Sequence, residues 1–218
     1  MSEELEAIKK ELGNGEIKVE DVNILFLDIS SSCTGYAVAR INFVNKTANF
    51  SSVGCLWLDP EWSHQEKYSY MYDAISGYFW IVEQVDHILV ESYSVNPKRM
   101  SGVNVVSEMQ GSIKAAAWSN GVKVNSIAPQ SWRSQLGLKK TKDAKGNTDW
   151  KTPTRDYVNK LVKIPDEVLS NITGNLRQTP SDIFDAIGVG LGWLKKFGIT
   201  KVAFKDIEVN KHVGHINE

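Results

Sequence analysis

Two apolar runs in this chain each stop on an acid. Ile24-Leu25-Phe26-Leu27 is followed by Asp28, and Ile88-Leu89-Val90 by Glu91. Runs this short and this uniformly apolar read as strands buried on both faces, the kind found in the middle of a sheet covered by helices. In open α/β sheets, sites form just beyond such strand ends. The pattern therefore favours a layered α/β domain that delivers carboxylates to one rim of its sheet.

The elements around these strands fall into a definite order. Leu5, Ile8 and Leu12 recur at helical spacing before Gly13-Asn14-Gly15, which makes residues 1–20 a short helical appendage. Asn23–Ile29, Tyr36–Phe43 and Ala48–Leu58 read as a three-stranded meander. Ser63 and Glu66 form a capping box, so a helix is expected over Gln65–Glu83. Asp86–Tyr93 is the next buried strand, and Pro97 breaks the chain. A helix over Gly102–Trp118, a strand over Lys123–Ile127 and a helix over Gln130–Leu136 follow. Lys139–Trp150 reads as a polar loop, Pro153 opens a helix to Val162, and Gly174–Thr179 is another loop. A helix from Ser181 to Phe197 is closed by Gly198, and the tail, 199–218, adds a strand over Lys201–Ile207. No linker divides residues 21–198. A meander followed by βα units predicts a mixed sheet with helices on its faces.

The last helix opens with SDIFDAIGVGLGW. Asp182 and Asp185 are three residues apart and share a face. They stand in the first turns, where the helix dipole tolerates negative charge. The rest of the helix is almost wholly apolar, so it should pack tightly and bring both acids to the sheet. Asp28, Glu91, Asp182 and Asp185 converging in a dry region would need cations. Oxygen ligands without clustered Cys or His favour Mg²⁺, with Mn²⁺ as substitute. Two such ions about 4 Å apart clamp a phosphodiester, one activating water and the other stabilising the leaving oxygen. Singly, each acid has an ordinary reading as a turn acceptor, a strand-end cap or a helix N-terminal charge. The case rests on their joint occurrence.

Charge distribution adds a second indication. Net charge is −1, so the molecule as a whole does not announce a polyanion partner. Between Arg133 and Lys163, however, basic residues that include Lys139, Lys140 and Lys142 outnumber the acids Asp143, Asp149 and Asp156. Such a segment suits a phosphate backbone, or equally a solvated lysine-rich loop. Trp132 and Trp150 flank it, placed either to stack on bases or to join the core. Cys33 and Cys55 make no disulfide framework. No apolar run is long enough to span a bilayer and the N-terminus has no signal-peptide core, so a cytoplasmic location with no membrane is expected. His212-x-x-His215 in the polar tail is more simply solvated than metal-binding.

These residues resemble RuvC-type Holliday-junction resolvases of the RNase H-like superfamily. LDISSSCTGYAV is similar to the family's first motif, ILVESY to its second, SEMQGSIKAAAW to the helix after it, and SDIFDAIGVGL to the Asp-x-x-Asp-Ala of the last. The resemblance runs in order from Asn23 to Lys196. It implies an RNase H-like fold with a five-stranded sheet, three strands antiparallel and then parallel ones, flanked by helices. It further implies a homodimeric endonuclease that cuts branched DNA with divalent metal, in recombination and repair. Asp28, Glu91, Asp182 and Asp185 would be the catalytic, metal-binding acids, with Asp28 bridging two ions. Arg133, Lys139, Lys140 and Lys142 would lie along the DNA arms, with Tyr93 as the aromatic near the junction.

Three departures qualify the likeness. Ile29-Ser30 stands where the family has Pro-Gly, Ser94 stands where it has its junction-opening aromatic, and Lys145–Trp150 looks inserted. These point to a divergent branch of the kind a phage carries, working in the host cytoplasm with looser selectivity. Two other readings compete with this one. One is a branched-DNA-binding module without catalysis. The other is an actin or sugar-kinase-like phosphotransferase, whose first phosphate loop also starts with an Asp on a strand. The chain is short for the latter and lacks its second Asp-Gly loop.

Overall fold

The computed structural model describes residues 21–92, 100–162, 181–204 and 208–210. The expected appendage over 1–20, Tyr93, the Gly174–Thr179 loop and His212/His215 lie outside them. Strands β1 (Val22–Asp28), β2 (Cys33–Asn42) and β3 (Thr47–Trp57) form the antiparallel meander. Strand β4 (His87–Glu91) runs parallel to β1, and β5 (Lys123–Ile127) parallel to β4. This is the anticipated five-stranded mixed arrangement. Two short strands extend it: β8 (Lys201–Ala203) and β9 (Glu208–Asn210) both pair parallel to β3, so the sheet has seven strands ordered β5-β4-β1-β2-β3-β8 with β9 also on β3.

The alternation of β1 shows why its apolar run has no polar side. Ile24 and Phe26 enter one core, with Phe50, Trp132, Ile187 and Trp193. Leu25 and Leu27 enter the other, with Tyr36, Met71, Phe79, Met109 and Ile113. The second face is covered by α1 (His64–Ala74) with its π-helical continuation Ile75–Val82, and by α2 (Met100–Ser119). The Ser63 hydroxyl accepts from the Glu66 N–H and the Glu66 carboxylate accepts from the Ser63 N–H, which is the expected capping box. The π-helical turns depart from the plain α-helix that the sequence predicts over this segment.

The first face is covered by α3 (Pro129–Leu136), α4 (Lys151–Leu161) and α5 (Ser181–Lys196). Helix α5 is buried from Ile183 through Leu194. Its glycines let α3 come close: a β-carbon at Gly192 would stand 2.7 Å from the Cβ and the carbonyl oxygen of Trp132. Lys139–Trp150, expected as a loop, folds as a small hairpin of β6 (Thr141–Lys142) and β7 (Thr148–Asp149). Asp143 closes its turn by accepting from the Lys145 and Asn147 amides at 2.9 and 2.7 Å. No helix among the described residues is long and apolar enough to cross a membrane.

Candidate active site

Strand alternation sends the sequence-predicted acids to one face. Asp28 lies two residues past Phe26, and Glu91 two past Leu89; both Phe26 and Leu89 point into the core beneath α5. The register between the two parallel strands runs as far as Leu27 with Val90, so Asp28 and Glu91 are each one step beyond it. Asp28 is paired across β2 with Gly35, and the bare Gly35 lets α5 begin directly against that strand. The first turns of α5 therefore open over the end of β1.

There Asp28, Asp182 and Asp185 each bring a carboxylate oxygen within 4.8 Å of the other two. The Asp185 residue is only 6% exposed, and its Oδ1 is buried with no hydrogen-bond partner among the described residues. Burial, then the charges of Glu91, Asp185 and Asp182, push the Asp28 carboxyl well above its ordinary range. Burial, joined by the Glu91 charge, pushes Asp185 up to about 7, against the pull of Arg133 and Lys151. An orphaned buried carboxylate oxygen beside two other acids is costly without a counter-charge. The set fits a hard divalent cation.

Glu91 stands beside this triangle with its oxygens engaged elsewhere. Its Oε2 accepts from the Trp132 indole N–H at 3.0 Å, and its Oε1 lies 3.6 Å from Arg133 Nη2. Burial raises the Glu91 carboxyl, while Arg133 and the Trp132 hydrogen bond draw it back. Lys151, which by sequence is one more cation of the basic segment, reaches across to Asp182 Oδ1 at 3.2 Å and to the Ser181 hydroxyl at 2.6 Å. Burial works against the Lys151 charge, but Asp182 first and then Asp185 and Asp28 raise its pKa on balance.

The predicted DNA-contacting residues divide. Lys139, Lys140 and Lys142 are exposed at and before the hairpin. The Arg133 side chain is 16% exposed and turns inward to Glu91. Trp132 is fully buried, and beyond its core role it supplies the hydrogen bond that orients Glu91. The sequence offers Trp132 only as a base-stacking or core ring, of which full burial leaves the core, and Lys151 only as one cation of a basic segment, because no local pattern links them to acids 41 and 31 positions away.

The five-stranded mixed core with helices on both faces, extended here by β8 and β9, is an RNase H-like fold. Solved structures with this fold include Thermus thermophilus RuvC in complex with Holliday junction substrate. That structure is 14% identical, with a TM-score of 0.57, over 82% of this chain and 96% of that one. The yeast mitochondrial Holliday junction resolvase is 15% identical with a TM-score of 0.57, over 91% of this chain and 87% of that one. The fowlpox virus Holliday junction resolvase is 13% identical with a TM-score of 0.51, over 80% and 99% respectively. The likeness is one of fold. No family model and no curated protein matches the sequence.

Proposed function

We propose that the protein is a metal-dependent, structure-selective endonuclease that hydrolyses phosphodiester bonds in Holliday junctions and other branched DNA. The observation that carries this reading is the triangle of carboxylate oxygens from Asp28, Asp182 and Asp185, together with a buried Asp185 Oδ1 that has no hydrogen-bond partner among the described residues. Asp28, Asp182 and Asp185 would hold Mg²⁺ or Mn²⁺, with Glu91 as fourth ligand, in a two-ion site. A metal bound there would supply a nucleophilic water and charge stabilisation at the leaving oxygen. Water adds to phosphorus, the bond to the 3′ oxygen breaks, and the products are a 5′-phosphate and a 3′-hydroxyl.

The chain's own residues have separable tasks in this reading. Trp132 and Arg133 orient Glu91, and Lys151 balances Asp182 before substrate arrives. Lys139, Lys140 and Lys142 follow the DNA arms, with Tyr93 nearer the junction. In this reading residues 21–198 are the nuclease domain, preceded by 1–20, and the tail 199–218 adds β8 and β9 to its sheet. Paired cuts on opposite strands call for a homodimer. The place of action is the cytoplasm, that of the host if the gene is viral.

The test is a panel of four-way junctions, forks and linear duplexes incubated with Mg²⁺, with wild type beside Asp182→Asn and with EDTA as control. Symmetric nicking of the junction by wild type alone is expected. Cleavage that persists in the variant or in EDTA would overturn the reading, as would binding of junctions with no cleavage in any divalent metal.

A further inference from the structure

Helix α4 is preceded by Trp150, the residue that joins it to the β6–β7 hairpin. The Trp150 backbone is fixed: its carbonyl accepts from the buried Thr154 hydroxyl at 2.8 Å and from the Thr154 N–H at 3.2 Å. Its ring lies against Arg133, whose guanidinium carbon is 5.4 Å from the ring centroid and 4.7 Å from that of Trp132. Beyond its ion pair with Glu91, this guanidinium has little polar restraint among the described residues. Its link to Glu91 is long, at 3.6 Å, and its Nε is buried with no hydrogen-bond partner among the described residues. The aromatic faces are then the main restraint on where Arg133 sits, since a guanidinium out of water is strongly drawn to an indole face. Trp132 has a second task through its N–H to Glu91. Trp150 acts on the acid only through Arg133.

We infer that Trp150 is a positioning residue for Glu91: its ring holds the Arg133 guanidinium against the Glu91 carboxylate, so the hairpin connection sets the orientation of the fourth acid. The next residue, Lys151, reaches Asp182, so consecutive side chains address the two sides of the acid cluster. Residues that orient a metal-binding carboxylate typically change metal affinity about 10–100-fold when removed. The role of Glu91 rests on the nuclease reading, but the Trp150–Arg133–Glu91 linkage can be tested without cleavage.

The experiment is calorimetric titration of Mn²⁺ into wild type, Trp150→Ala and Trp150→Phe, each with Glu91 intact and with Glu91→Gln. The Glu91→Gln protein keeps the three aspartates and so keeps a site to titrate. Loss of the ring should weaken Mn²⁺ binding about tenfold. Phenylalanine, which keeps a π face, should restore it to within about threefold. In the Glu91→Gln background, Trp150→Ala should cause no further loss. If the alanine protein does not fold, Trp150→Leu replaces it, with the same expected loss because an apolar side chain fills part of the space while the π face goes. Unchanged Mn²⁺ affinity on loss of the ring overturns the inference, and so does an equal loss with and without Glu91. Junction cleavage by wild type separates the two claims. A wild type that cuts nothing yet keeps the Trp150–Glu91 dependence sinks the nuclease reading alone. A wild type that cuts, with a ring variant that binds Mn²⁺ equally well, sinks this inference alone.

Discussion

Gly35 faces the backbone of Asp182 so closely that a β-carbon there would stand 1.9 Å from the Asp182 carbonyl oxygen. Because Gly35 is also the register partner of Asp28, one bare α-carbon spaces two acids that are 154 residues apart (182 less 28). The atom in the way is main chain and cannot rotate aside. Gly35→Ala should therefore push the start of α5 off the sheet. The expected cost is about 1–3 kcal/mol of stability, from overpacking. A loss of Mn²⁺ affinity should accompany it. Denaturant melts with and without Mn²⁺ check both, and an alanine protein with wild-type metal binding would contradict this spacing role.

Asp185→Asn should separate stability from function. The native carboxyl is buried, with an Oδ1 that has no partner among the described residues, and an amide carries no charge to desolvate when the acid would ionise. The metal-free variant should melt at or above the wild-type temperature. Metal-dependent cleavage should fall by about three orders of magnitude, since a ligand contributes several kcal/mol to charge stabilisation in the transition state. Thermal melts in EDTA and single-turnover cleavage in Mg²⁺ measure the two effects.

Stability should depend on pH in opposite ways with and without metal. The Asp28, Glu91 and Asp185 carboxyls are all raised, Asp185 to about 7. A carboxyl raised in the folded state keeps its proton at a pH where the unfolded chain has lost it. Its stabilising contribution is complete below about pH 4 and is lost as pH rises through the folded value, by up to roughly 1.4 kcal/mol per pH unit per group. Metal-free protein should thus lose stability between about pH 4 and 7, while Mn²⁺, which needs the ionised acids, should stabilise it far more at pH 8 than at pH 5. Melting curves across that range would show a Mn²⁺ shift that grows with pH; a constant shift would contradict the assigned site.

Trp132→Phe removes the indole N–H that reaches Glu91 at 3.0 Å while keeping an aromatic ring in the core. A hydrogen bond to a charged acceptor is worth about 1.5–3 kcal/mol. Cleavage should fall roughly 10–100-fold through kcat, with junction affinity in Ca²⁺ unchanged. A variant with unaltered kcat would remove Trp132 from the site.

Lys140 and Lys142 stand exposed on the hairpin arm. Replacing both with Gln should weaken junction binding and flatten its salt dependence by about 0.9 in log–log slope for each phosphate no longer neutralised. An unchanged slope would mean that DNA does not lie along this arm.

The course of the chain is readable because its signals are local. Alternating or continuous apolar runs, the Ser63/Glu66 capping box and the apolar face behind Asp182 all act within a few residues, and each produces the element it predicts. Strand ends and helix spacing point to Asp28, Glu91, Asp182 and Asp185 together, and the structure groups the three aspartates, with Gly35 letting α5 approach and Glu91 beside them. What escapes a sequence reading is tertiary. The Trp132 N–H, Lys151 and the inward turn of Arg133 are choices made among side chains once α3, α4 and α5 have packed. The π-helical turns of Ile75–Val82 and the hairpin inside Lys139–Trp150 likewise carry no periodic signature.

The short strands β8 and β9 lie end to end along β3, covering Thr47–Asn49 and Ser52–Gly54. Unpaired edge strands are templates for intermolecular pairing, and a long apolar one invites aggregation. The C-terminal segment thereby shields the outer margin of the meander. Its removal would leave a chain whose first failing is to clump through exposed β3 before any question of DNA arises.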